Sequence, residues 1–210
     1  MPRREPRGAL ERLREGNRRF AAGAVRAEAM ATEAHRALLT AGQDPFAIVL
    51  GCSDSRVPAE IVFDQGLGDL FVIRVAGNIV APSQIGSIEF AAERFGTRLV
   101  VVLGHSQCGA VTATLETLRR PGAAPSRNLS SIVERIRPAV ENLPGAAGGP
   151  GGADMEALLA EGVRANVRHA VRQLRHGSES LERLMREDGL LIVGAEYSLH
   201  SGLVDWLDRP

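Results

Sequence analysis

Residues 51–60 read GCSDSRVPAE and residues 104–109 read GHSQCG. Together they hold both cysteines of the chain, one of its five histidines, an aspartate and an arginine. Two thiolates and an imidazole suit Zn²⁺, with Zn–S near ~2.3 Å and Zn–N near ~2.0 Å. Cys52, His105 and Cys108 would leave a fourth tetrahedral position, the mark of a catalytic rather than a structural site. Asp54, two residues past Cys52, can reach that position with its own carboxylate. Arg56, two residues further, can instead hold the carboxylate in a charge-assisted, bidentate pair. Water then takes the open position and becomes the nucleophile. Both arrangements are open at this level. Two thiolates already neutralise Zn²⁺, so water on such a metal should have a pKa at or above about 7, the value for three neutral histidines. Either motif alone is weak; their coexistence in a chain with two cysteines favours metal binding over a purely structural reading.

Distant loops meet only if the elements before them are neighbours. The apolar runs 45–51, 69–76, 98–105 and 189–197 are rich in Val, Ile and Leu and too short for ordinary helices. They read as buried parallel strands. Between and after them, 83–95, 108–120, 155–176 and 179–188 have helical character, with Ser178 as cap of the last. Strands alternating with helices predict an α/β fold, a central mostly parallel β-sheet flanked by helices. Ligands of such sheets bind outside the carboxyl ends of the strands, where both cysteine loops fall. Cys108 also opens the helix 108–120, whose positive dipole end favours a thiolate.

The first 42 residues read as helices without a strand, an N-terminal helical arm packing on a partner subunit. Residues 43–210 read as the α/β core, the whole (1–210) as a single domain, and 144–153, PGAAGGPGGA, as a flexible connector. The formal net charge is zero, with arginine supplying every basic side chain. No global field therefore draws the chain to nucleic acid or an anionic membrane. The N-terminus lacks the apolar core of a signal peptide, and no run approaches the length of a membrane span. These features predict a cytoplasmic protein, where a Cys52–Cys108 disulfide is disfavoured.

The segments GCSDSRVPAEIVF, GDLFVIRVAGN (68–78), GSIEFA (86–91) and VVVLGHSQCGAV (100–111) are similar to the β-class carbonic anhydrases of bacterial type. The resemblance covers roughly residues 43–115, and CSDSR paired with GHxxCG is its most specific part. It implies one zinc per subunit on Cys52, His105 and Cys108, with Asp54 and Arg56 as the acid–base pair beside it. It implies that a zinc-bound hydroxide attacks carbon dioxide to give bicarbonate and a proton. By position, Gln43, Phe71 and Phe90 match residues that line the substrate pocket, and Gly109 one whose backbone N–H lies near the zinc. Phe90 and Ala76 stand where some members have tyrosine and valine, which implies a slightly roomier or less polar pocket. A subset of the family closes aspartate onto zinc at low pH, and some members carry a regulatory bicarbonate site. That site uses a tryptophan three residues before the first cysteine, an arginine and a tyrosine. Arg74 and Tyr197 are candidates for the last two, but Val49 stands at the tryptophan position. The family also implies a homodimer or homotetramer with its pocket at the subunit interface.

Two other functions compete on the residues alone: hydrolysis of carbonyl sulfide or carbon disulfide at the same site, and a non-catalytic zinc-stabilised binding module. A structural metal would give Asp54 and Arg56 nothing to do. No motif places His35, His169, His176 or His200, and Trp206 reads as packing.

Overall fold

A computed structural model describes residues 5–26, 32–120, 126–148 and 154–207. The four predicted strands form as β1 (Ala47–Gly51), β2 (Leu70–Arg74), β3 (Leu99–His105) and β4 (Leu191–Tyr197), and β5 (Val204–Trp206) completes the sheet. The order is β2-β1-β3-β4-β5, with β5 alone antiparallel, on β4. Alternate side chains enter two separate cores. Val49, Val101, Leu103 and Val193 face one layer, while Ile48, Leu50, Val100, Val102 and Ile192 face the other. Burial on both faces is why these strands read as continuous apolar runs rather than alternating ones.

One layer is α1 (Pro6–Ala21) with the short α3 (Ala59–Val62); α4 (Pro82–Arg94), α7 (Met155–His176) and α8 (Glu179–Glu187) cover the opposite face. Ser178 caps α8 by accepting the Leu181 N–H at 3.1 Å, as its position predicts. The helices α5 (Gly109–Arg119) and α6 (Arg127–Val140) enclose a third apolar cluster at the carboxyl ends of the strands. The sequence reading has neither α6 nor β5. In α6 the buried Val133, Ile136 and Val140 keep helical spacing, but Pro138 in its last turn is a breaker signal. β5 has three residues, of which Val204 alone is buried, too short for a periodic pattern. Residues 149–153 of the expected connector lie outside the described residues.

The expected arm is narrowed by one finding: α1 is seated on its own sheet. Its stripe of Ala9, Leu10 and Leu13 joins the core beside Val49 and Leu103, and each such leucine stabilises the fold by roughly 1.5–3 kcal/mol. Buried Asn17 ties the helix down, donating to the carbonyls of Val62 (3.1 Å) and Gly202 (2.9 Å) and accepting from the Val204 N–H at 2.9 Å. The following α2 (Glu33–Leu39) is mostly exposed, Leu38 at 76%.

Candidate metal centre

The chain runs from β1 to β2 on one side, then crosses to β3 on the other side of β1. This reversal opens a crevice between the carboxyl ends of β1 and β3, where an open α/β sheet receives ligands. Cys52 follows the last residue of β1; His105 is the last residue of β3. Gln107 adopts a left-handed conformation (φ 57°), turning the chain so that Cys108 becomes the N-cap of α5. The outcome is a buried cluster in which the ligand atoms of Cys52, His105 and Cys108 all lie within 4.8 Å of one another.

The donor set fits a metal ion. The Nδ1 of His105 lies 2.9 Å from the carbonyl of Ser106, which selects the tautomer with its proton on Nδ1. Its Nε2 is therefore a lone pair, fully buried and with no hydrogen-bond partner among the described residues. An unsatisfied buried acceptor costs about 1–3 kcal/mol, and a cation between Nε2 and the two sulfurs removes that cost. The thiols point the same way. The hydrogen bond from Cys108 pushes the Cys52 thiol well below its ordinary range, helped by His105 and by the Gly77 N–H at 3.3 Å from the sulfur. Cys108 is pushed up because it donates to Cys52 and is buried. Burial pulls His105 down, but the neighbouring Cys52 sulfur and its charge outweigh it and raise the ring above its ordinary value. The pair thus carries one thiolate, and metal binding would release the remaining thiol proton.

Asp54 stands on the rim beside this cluster, its Oδ2 3.8 Å from Nε2 of His105. Arg56 holds it with a bidentate pair, Nε to Oδ1 at 2.9 Å and Nη2 to Oδ2 at 2.8 Å, and its own backbone N–H adds a contact at 3.0 Å. These bonds, led by the guanidinium, keep the carboxyl far below the usual carboxylate range.

Three residues support the cluster in roles that the motifs do not give them. Arg74, at the end of β2, donates from Nε to the carbonyl of Cys52 (3.0 Å) and from Nη2 to that of Asp54 (2.6 Å), fixing the loop from the neighbouring strand. Gly77 sits at φ 71°, where a Cβ would come within 2.7 Å of Ile136 Cδ1 and 3.0 Å of the Ala110 Cβ. Only glycine lets that backbone approach Cys52. Asn166, buried on α7, donates to the Gly77 carbonyl at 2.8 Å and so holds the turn whose N–H meets the sulfur. The AGN run beside Arg74 was a visible signal for the turn; nothing local marks Asn166.

The other predicted positions fall elsewhere. Gly109 opens α5 directly after Cys108. Gln43 precedes β1 and so lies at the opposite edge of the sheet from Cys52, since five residues of strand span roughly 16 Å. Phe71 pairs with Ile48 near that same edge and meets Phe90 and Phe95 at ring-centroid distances of 6.2 and 6.1 Å. Phe90 is 54% exposed. Within one chain, none of Gln43, Phe71 and Phe90 is brought into the cluster. Tyr197 is buried against Phe20, and Arg74 is engaged on the Cys52 loop. Among the described residues, no helix is long and apolar enough to cross a membrane.

Comparison with known proteins agrees with this site. A family model described as carbonic anhydrase matches residues 47–204. A protein named carbonic anhydrase 2 from Mycobacterium tuberculosis is 41% identical over 202 residues, 96% of this chain and 93% of its own length. A carbonic anhydrase of Mycolicibacterium smegmatis is 42% identical over 98% of this chain and 95% of its own. Among solved structures, a β-carbonic anhydrase of Aspergillus fumigatus superposes with a TM-score of 0.73 at 26% identity, covering 97% of this chain and 92% of that one. Tetrameric β-carbonic anhydrases of Sordaria macrospora share the fold, with a TM-score of 0.74 at 23% identity over 84% and 88% of the two chains. With the model match spanning all four parallel strands and both cysteine loops, the chain belongs to the carbonic anhydrase family, in its β class.

Proposed function

We propose that this protein catalyses the reversible hydration of carbon dioxide, CO₂ + H₂O giving HCO₃⁻ and H⁺, on one zinc ion per subunit held by Cys52, His105 and Cys108. The observation that carries this reading is the convergence of that buried cluster with a clamped carboxylate 3.8 Å from Nε2 of His105. When bound, zinc lowers the pKa of a coordinated water and so supplies a nucleophile near neutral pH. Arg56 draws the Asp54 carboxylate onto itself, which keeps the fourth position free for water. Asp54, held ionised, is an acceptor-only group and, with zinc bound, would accept a hydrogen bond from the coordinated water and orient it. The N–H of Gly109, in the first turn of α5, has no acceptor within its own helix and is offered to substrate oxygen.

The remaining wall comes, on this reading, from a second copy. Gln43, Phe71 and Phe90 lie at the opposite edge of their own chain, and a homodimer or homotetramer would set them against the partner's cluster. The exposed α2 would be the part of the N-terminal arm that reaches across. Residues 1–210 form one domain, an arm (1–42) and an α/β core (43–210), working in the cytoplasm. Hydrolysis of carbonyl sulfide or carbon disulfide has no observation in its favour, and a purely structural zinc leaves the Asp54–Arg56 clamp without a role.

Stopped-flow hydration with a pH indicator tests the proposal. The zinc-loaded enzyme should hydrate carbon dioxide between pH 7 and 9, while chelation, Cys108→Ser or His105→Ala should lower the rate by at least about 10³-fold. Zinc-independent turnover, or full activity in either variant, rejects the assignment.

A further inference from the structure

Away from the metal centre, α4, α6 and α7 border an open cleft of about 650 Å³, within the size range of small-molecule sites (about 300–1,000 Å³). It shares no lining residue with the metal cluster. Four basic side chains line it: Arg135 of α6, and His169, Arg172 and His176, which follow one stripe of α7. None of its lining residues carries a carboxylate. The nearby Glu89 of α4 already accepts the Ser178 hydroxyl. Arg172 has no ion pair among the described residues, and one N–H of Arg135 goes to its own helix at the Ser131 carbonyl, 2.6 Å. The start of α4 also borders the cleft, and its N-cap, Ala81, makes no side-chain cap bond. Pro82 has no N–H, and those of Gln84 and Ile85 go to the Ala81 carbonyl, so what this end adds to the same space is the positive end of the helix dipole. Burial, and after it the charge of Arg172, pushes His169 below its ordinary pKa. The rest of the lining includes the apolar side chains of Val80 and Ile85.

Clustered like charges repel, and no acid within the cleft relieves them. We propose that the cleft binds a phosphate monoester, its dianionic group between Arg135 and Arg172 and its organic body on Val80 and Ile85. Guanidinium groups take phosphate oxygens in paired hydrogen bonds, and the two apolar side chains distinguish an ester from free phosphate.

Calorimetric titration of the intact zinc-loaded enzyme with phenyl phosphate tests this, and it reads binding rather than turnover, so the outcome is independent of the hydration assignment. Saturable binding is expected, at least about tenfold tighter than inorganic phosphate. It should weaken by at least about tenfold in Arg135→Gln/Arg172→Gln and stay unchanged in Arg168→Gln, an exposed arginine already paired with Glu161. Circular dichroism of the double variant establishes that it remains folded. Absence of saturable binding overturns the proposal. So does affinity unaltered by the double substitution, which would place the anion elsewhere, including at the metal.

Discussion

The rim at the carboxyl ends of β1 and β3 and the aromatic patch around Phe71 differ in how much of each a single chain completes. On the rim the groups that shape the site are committed: Asp54 to Arg56, the Cys52 carbonyl to Arg74, and the Gly77 carbonyl to Asn166. Nε2 of His105 is left unpartnered among the described residues, buried beside the sulfurs. The patch is the reverse case. Phe71, Phe90 and Phe95 pack on one another in tilted and edge-on pairs, yet Phe90 remains 54% exposed. One region is preorganised by packing within the chain. The other is a surface that a second copy would finish, and the chemistry would then depend on assembly for its walls but not for its metal.

Substitutions can break or sharpen that contrast. The largest expected effect within the rim is Arg56→Ala, which frees the Asp54 carboxylate to close on the metal or to wander. Activity should fall on the order of 100-fold, the usual scale for losing one positioned polar group at a reacting centre. The same variant should raise the Asp54 pKa from its depressed value toward the ordinary one near ~3.9, observable by carboxyl ¹³C titration. Because the native pKa is depressed, the clamp's contribution to stability is present above the ordinary value and is lost only as pH falls through the native one. Near-normal turnover of Arg56→Ala would show that the clamp does not gate the site.

A smaller effect is expected one step further out. Asn166→Leu removes the donor to the Gly77 carbonyl and loosens the turn whose N–H meets Cys52. Zinc affinity, measured by chelator competition, should weaken by about 10-fold, as for other outer partners of metal ligands. Unchanged affinity would mean that the turn holds itself. The smallest effect on the fold is expected at Phe90→Ala: at an exposed position, stability should change by about 0.5 kcal/mol or less. If a partner completes the pocket, KM or sedimentation behaviour should change nonetheless. A variant unaltered in all three would dissolve the contrast and leave the patch an ordinary surface.

Much of the site was legible because its parts sit in short local patterns at the ends of apolar runs. Cys52, Asp54 and Arg56 lie within five residues, and His105 and Cys108 within four. The alternation of strands and helices placed both groups on one rim. Arg74, Gly77 and Asn166 were not legible as parts of the site, since each makes its contact with a residue 20 or more positions away in sequence. β5 is defined by pairing with β4 rather than by any periodicity of its own. The arm shows the limit of helical pattern alone. Apolar spacing says that α1 must bury a stripe, but not whether its own sheet or another subunit receives it.

By itself, then, the sequence determined the α/β class, the parallel strands, the ligand types and their family, because these follow from local periodicity and from the chemistry of a few side chains. Tertiary structure alone decided that the carboxylate of Asp54 rests on Arg56 beside His105, that α1 packs on its own sheet, and that four basic side chains from two helices share one cleft. Those are questions of which distant surfaces meet. Their answers lie in the packing of the two cores, which brings into contact residues that no local spacing relates.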